Sequence, residues 1–127
     1  MTTHILLIAH APLASALREC VGHVFADRMH TVVALDVQAS DGAETALQKA
    51  QQLRLGMNAA EVLVLTDVMG ATPCNVARLL TKDNTDRVVT GVNLPMLWRA
   101  VAYQHEPVAD VAQKALEGGQ QGVMMPP

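Results

Sequence analysis

The chain has 127 residues, half of them apolar but with one Trp, one Tyr and one Phe, so its core must be built from Leu, Val, Ala and Met. That length suits one compact domain, residues 1–127, able to bury a core without disulfide or metal staples. Net charge is −3 and the basic residues are scattered singly, which argues against nucleic acid or an anionic membrane surface as main partner, since both need a concentrated basic patch.

Residues 4–9 form a continuous apolar run that closes on His10 and is followed by Ala11-Pro12. A helix is expected over 13–26, with Leu13, Leu17, Val21 and Val24 on one stripe. The β-branched run 31–37 reads as a second strand. Residues 43–57 read as a second helix, its stripe made by Leu47, Ala50, Leu53 and Met57 and its cap by Ser40 or Asp41. Residues 62–66 make a third strand that opens onto Asp67. Thr72 suits a cap and Pro73 a first turn for a short helix over 75–80. Residues 87–91 make a fourth strand and 95–103 a further helix with Pro95 in its first turn. The last helix spans 108–117, stopped by Gly118-Gly119. Residues 120–125 read either as a short fifth strand or as a frayed tail.

Strand and helix alternating four times imply a three-layer α/β fold, a parallel sheet with helices on both faces. No apolar stretch approaches a bilayer span and no leader precedes the first strand pattern. Cys20 and Cys74 stand far apart and suggest neither a disulfide framework nor a metal knuckle. The expected setting is the reduced cytoplasm, without membrane insertion.

In such a sheet the first and third strands flank the point where strand order reverses, and a crevice opens at their carboxyl ends. His10 and Asp67 stand at those two ends. A carboxylate bonded to one imidazole nitrogen fixes the tautomer and leaves the other nitrogen free, which suits nucleophilic or acid–base chemistry, although a histidine at a strand end also serves as a cap. The segment Gly70-Ala71-Thr72 combines a permissive glycine with a helix start whose free N–H groups suit an anion, and Ala11 sits on the facing turn. Asn75, Asn93 and Pro95 are candidates for the rim of the site. Met69, Met96, Trp98 and Arg99 are candidates for a docking surface, with Trp-Arg a pairing frequent where partners meet. Cys74 near a helix start is a less favoured nucleophile, its alternative being a small buried residue. His4, His23, His30 and His105 lack ligand spacing, so no metal is expected. The first strand–helix turn has neither glycines nor a Walker lysine, so no cofactor is expected.

The strand ending in His10, LTDVMGATPCN, TGVNLPML and the terminal Gly-Val together resemble the IIA domain of the mannose family of the bacterial phosphoenolpyruvate:sugar phosphotransferase system, over essentially the whole chain. The resemblance implies that His10 receives a phosphoryl group on Nε2 from the phosphocarrier protein HPr and passes it to a IIB component. Asp67 would position the imidazole and Thr72 would lie close to the phosphate. It implies strand order 2-1-3-4-5, with the last strand antiparallel and exchanged within a homodimer, and a freestanding protein of one domain. The same site also fits a regulatory binding protein whose His10 phosphorylation state selects partners without onward transfer. Where members of the family commonly carry glycine after the histidine, this chain has Ala11 and Pro12.

Overall fold

The four apolar runs become four parallel strands in the computed structural model, which describes residues 2–81 and 85–127. They are β1 (His4–His10), β2 (Val32–Val37), β3 (Val62–Thr66) and β4 (Asp86–Val89), in the order β2-β1-β3-β4. Among the described residues five α-helices connect and flank them: α1 (Leu13–Val21), α2 (Ala43–Gly56), α3 (Thr72–Leu80), α4 (Leu94–Ala102) and α5 (Val108–Gln121).

Alternation along the strands divides the core in two. Ile5, Leu7, Ala9, Leu63 and Leu65 pack under α1, α4 and α5, whereas Leu6, Ile8, Val62 and Val64 pack under α2 and α3. Both faces of β1 and β3 are therefore covered, which is why their sequences are apolar without alternation. Each such Leu or Ile contributes about 1.5–3 kcal/mol by leaving water. Register places Ile8 beside Thr66 and His10 beside Val37, so the carboxyl ends of β1, β2 and β3 lie together.

The helix expected over 13–26 stops at Val21, and a 3-10 turn over Ala26–Thr31 follows, delaying β2 to Val32. The return brings the Met29 sulfur to 3.0 Å from where a Cβ on Gly22 would stand. Neither Ser40 nor Asp41 caps α2. Gly42 holds the cap position, and Asp41 instead accepts from the Gln38 amide at 2.9 Å. The helix expected over 75–80 begins three residues earlier, at Thr72 with Pro73 in its first turn, and Ala71 rather than Thr72 is its cap residue. The fourth strand closes at Val89, short of Gly91, whose φ is +82°.

The last helix is the larger correction. α5 runs through Gly118-Gly119 and ends on Gly122, so residues 120 and 121 are helical. Among the described residues there is no fifth strand over 120–125. The glycines serve close approach rather than termination: a Cβ on Gly118 would meet Arg99 Cβ at 2.8 Å, and one on Gly122 would meet Pro95 Cγ at 2.5 Å. α5 thus lies directly against α4.

Candidate functional site

β1 delivers His10 to the carboxyl edge because its six preceding residues are locked in the sheet and the chain turns at Ala11-Pro12, whose peptide is cis. β3 delivers Asp67 beside it. Oδ2 of Asp67 accepts from His10 twice, from the backbone amide at 2.9 Å and from ring Nδ1 at 2.7 Å, while Oδ1 accepts from the Val68 amide at 2.9 Å. Burial opposes ionisation of Asp67, but the His10 amide, the His10 ring and the Val68 amide together outweigh it and hold its carboxyl below the usual range. An ionised carboxylate only accepts, so the proton of a neutral His10 ring resides on Nδ1 and Nε2 presents a bare lone pair. The His10 side chain is 53% exposed and that of Asp67 only 9%, so the imidazole faces solvent while the carboxylate bonded to it is covered.

The β3–α3 loop runs on directly from Asp67. Gly70 has φ +86°, a conformation only glycine adopts freely, and Asn75 Nδ2 clasps its carbonyl at 3.3 Å. Among the described residues, the amides of Gly70, Thr72 and Cys74 have no acceptor and Ala71 supplies no side-chain cap, which leaves the start of α3 open to an anion. The Ala71 amide is partly engaged with the Val68 carbonyl at 3.3 Å. Ala11 departs from its expected role, because its amide is already given to the Val37 carbonyl at 2.9 Å.

The expected rim is an internal clasp. Asn93 caps α4 by accepting from the Met96 amide at 2.9 Å, and its Nδ2 donates to the Gly119 carbonyl at 3.0 Å. Pro95 is exposed but packs against Gly122. The Val92 amide donates to the Thr66 carbonyl at 2.9 Å, which brings this loop beside the end of β3.

The docking set divides. Met69 is exposed beside Val68 on the loop that carries Gly70, but Met96 is 3% exposed, buried in the core under Gly119, and cannot serve as a contact surface. Trp98 donates its indole N–H to the Cys20 carbonyl at 3.1 Å, and Arg99 reaches Gln121 at 3.3 Å, so both tie helices together. Cys74 is buried, its sulfur 4.0 Å from that of Met69, which disposes of its reading as a nucleophile.

One contact escaped the sequence reading. Asp36 on β2 accepts from the amide and hydroxyl of Ser15 in the first turn of α1. The signal was present as a lone acid inside the apolar run VVALDV. Among the described residues no group of three or more His, Cys, Asp or Glu is placed to hold a metal ion, and no helix is long and apolar enough to cross a membrane. Cavities of about 470 Å³ (beside Arg54, Leu80 and Asp86) and about 610 Å³ (beside His4, His30 and Asn58) lie at the amino edge of the sheet, at the other end of the strands from His10.

Residues 4–116 match the family of the PTS system fructose IIA component, PTS denoting a phosphotransferase system. The PTS system fructose-specific EIIA component of Bacillus subtilis (strain 168) is 30% identical over 95 residues, which are 73% of this chain and 64% of that protein's length. Among solved structures, the mannose/sorbose-specific IIA subunit from Enterococcus faecalis superposes with a TM-score of 0.87 at 26% identity, over all of this chain and 96% of its own. The EIIA component from Streptococcus agalactiae gives 0.84 at 27% identity, over 97% and 96% of the two chains.

Proposed function

The chain belongs to the family of the PTS fructose IIA component, the mannose-type IIA class of the sugar phosphotransferase system, and on that footing we propose that His10 carries a phosphoryl group from phospho-HPr to a IIB component in the cytoplasm. The observation that supports this reading is the pairing of His10 Nδ1 with Asp67 at 2.7 Å, which leaves Nε2 unpaired on a half-exposed side chain, while the chain runs on from Asp67 through Gly70 to the uncapped start of α3.

In the transfer, the N–P bond of the donor phosphohistidine breaks as the bond from His10 Nε2 to phosphorus forms. The donor imidazole keeps the electron pair and can take a proton from solvent. The Nδ1 proton stays on His10, where Asp67 balances the positive charge that Nε2 substitution places on the ring. The free amides of Gly70, Thr72 and Cys74, with the Thr72 hydroxyl, would meet the phosphoryl oxygens, so catalysis is alignment and preorganised electrostatics and needs no cofactor. Asp67 also repels the incoming phosphoryl group, a tension offset by those donors. Exposed Val68 and Met69 supply apolar contact for the carrier at the lip of the site.

The homodimer belongs to the same reading. Val123, Met124 and Met125 are exposed apolar residues that follow α5, and a strand shortened to this segment would pair with a second copy. A monomer in sedimentation equilibrium refutes that part.

The test is intact mass after incubation with phosphoenolpyruvate, enzyme I and HPr. Wild type should gain one phosphoryl group, and His10→Ala none. An unchanged wild-type mass refutes the proposal. Adding a IIB component should discharge the protein, and retention of the group there would assign it to a regulator instead.

A further inference from the structure

Two helix starts face the carboxyl edge of the sheet close to His10, α1 beginning at Leu13 and α3 at Thr72. Both have the free N–H groups and partial positive charge that attract a phosphoryl group. They are not equivalent. The start of α1 is already filled by a carboxylate: Asp36 Oδ1 accepts from the Ser15 amide at 3.0 Å, and Oδ2 accepts from the Ser15 hydroxyl. The start of α3 has no such occupant.

The source of that carboxylate matters. Asp36 pairs in register with Ala9, and the next residue, Val37, pairs with His10 and takes the Ala11 amide on its carbonyl. Two successive residues of β2 therefore grip the chain on both sides of Pro12, Val37 at Ala11 and Asp36 at Ser15. The turn bearing the phosphoacceptor is held from a strand that contributes nothing else to the site.

We propose that Asp36, acting through Ser15, is a positioning residue for phosphoryl transfer at His10. It fixes the turn that carries the imidazole and closes the α1 start to anions, so that the phosphoryl group is directed to α3. The proposal rests on the reading of His10 as phosphoacceptor.

The test pairs a binding measurement with kinetics on the full chain. Inorganic phosphate is titrated into ¹⁵N-labelled protein and amide shifts are followed. In wild type they should move at Gly70, Thr72 and Cys74 and stay still at Ala14 and Ser15. In Asp36→Ala they should also move at Ala14 and Ser15. Phosphorylation by phospho-HPr should then show kcat reduced about tenfold with KM unchanged, the mark of misplacement rather than lost docking. Asp36→Asn keeps an acceptor for the Ser15 amide and loses the charge, so it should admit phosphate at α1 with a smaller loss of kcat. Ser15→Ala, which removes only the hydroxyl bond, should lie between wild type and Asp36→Ala and stands in for it if that variant does not fold. Wild-type kcat with no phosphate response at Ala14 and Ser15 overturns the proposal, as does lost stability with kcat unchanged. A wild-type protein that is never phosphorylated on His10 refutes the parent reading instead, and the phosphate titration still decides whether Asp36 closes α1.

Discussion

Asp67 uses a single oxygen for both the ring and the backbone of His10, so one side chain sets the tautomer and the position of the imidazole together. Replacing it with Ala should lower the rate of transfer about 10²-fold while weakening carrier binding little. Quench-flow phosphorylation and binding titration separate the two, and equal losses would sink the assignment. The depressed Asp67 carboxyl has a consequence for stability. Its contribution is complete above the unfolded value of about 3.9 and is lost as pH falls through the lower folded value. Urea unfolding between about pH 6 and pH 3 should therefore show a slope that Asp67→Asn flattens. His10 and Asp67 were legible because each terminates an apolar run, and strand ends are countable. Met96 was not, since an apolar residue at a helix start has no assigned face until α5 is known to lie over it.

Among the elements, α5 shows how one residue type carries opposite meanings. Glycine pairs often end helices, but here Gly118 and Gly122 lie against rigid atoms of α4. Gly118→Ala and Gly122→Ala should each destabilise by about 1–3 kcal/mol, because overpacking exceeds the gain in helix propensity. Gly119→Ala should cost less, since its nearest contact at 2.7 Å is the methyl at the far end of the unbranched Met96 side chain, which can shift more easily than a Cβ or a proline ring. Gly56, with nothing within 4 Å of an added Cβ, should reverse the sign, Gly56→Ala gaining about 0.5–1 kcal/mol. Thermal and urea unfolding of the four variants check the order. The strands were readable to within a residue or two because each is a continuous apolar or β-branched run, buried throughout in β3 and from Ile5 to Ala9 in β1. The first helix was readable at its start, Leu13, but not at its end, because Val24 continues the helical spacing after the chain has already turned at Gly22.

Across the whole molecule the two edges of the sheet do different work. The carboxyl edge holds His10 and Asp67. The amino edge holds a covered ion pair, Arg54 Nε and Nη2 reaching the two oxygens of Asp86 at 3.0 and 3.1 Å, with the Val62 amide donating to the same carboxylate at 3.2 Å. Asp86→Ala should cost about 3 kcal/mol by stranding Arg54, yet leave phosphorylation of the folded protein unchanged. A melting curve and the mass assay read these separately, and a parallel loss of activity per folded molecule would contradict the division. From the sequence alone came the parallel sheet, the pairing of His10 with Asp67 at one edge, and the loop at Gly70, because periodicity and strand ends are local properties of the chain. The tertiary structure alone decided that Ala11 spends its amide on Val37, that Asn93 is a clasp, that Gly118 to Gly122 belong to a packed helix, and that Asp36 holds Ser15. Each of these depends on which atoms distant in sequence come within hydrogen-bond or van der Waals reach, and that is set by packing rather than by pattern.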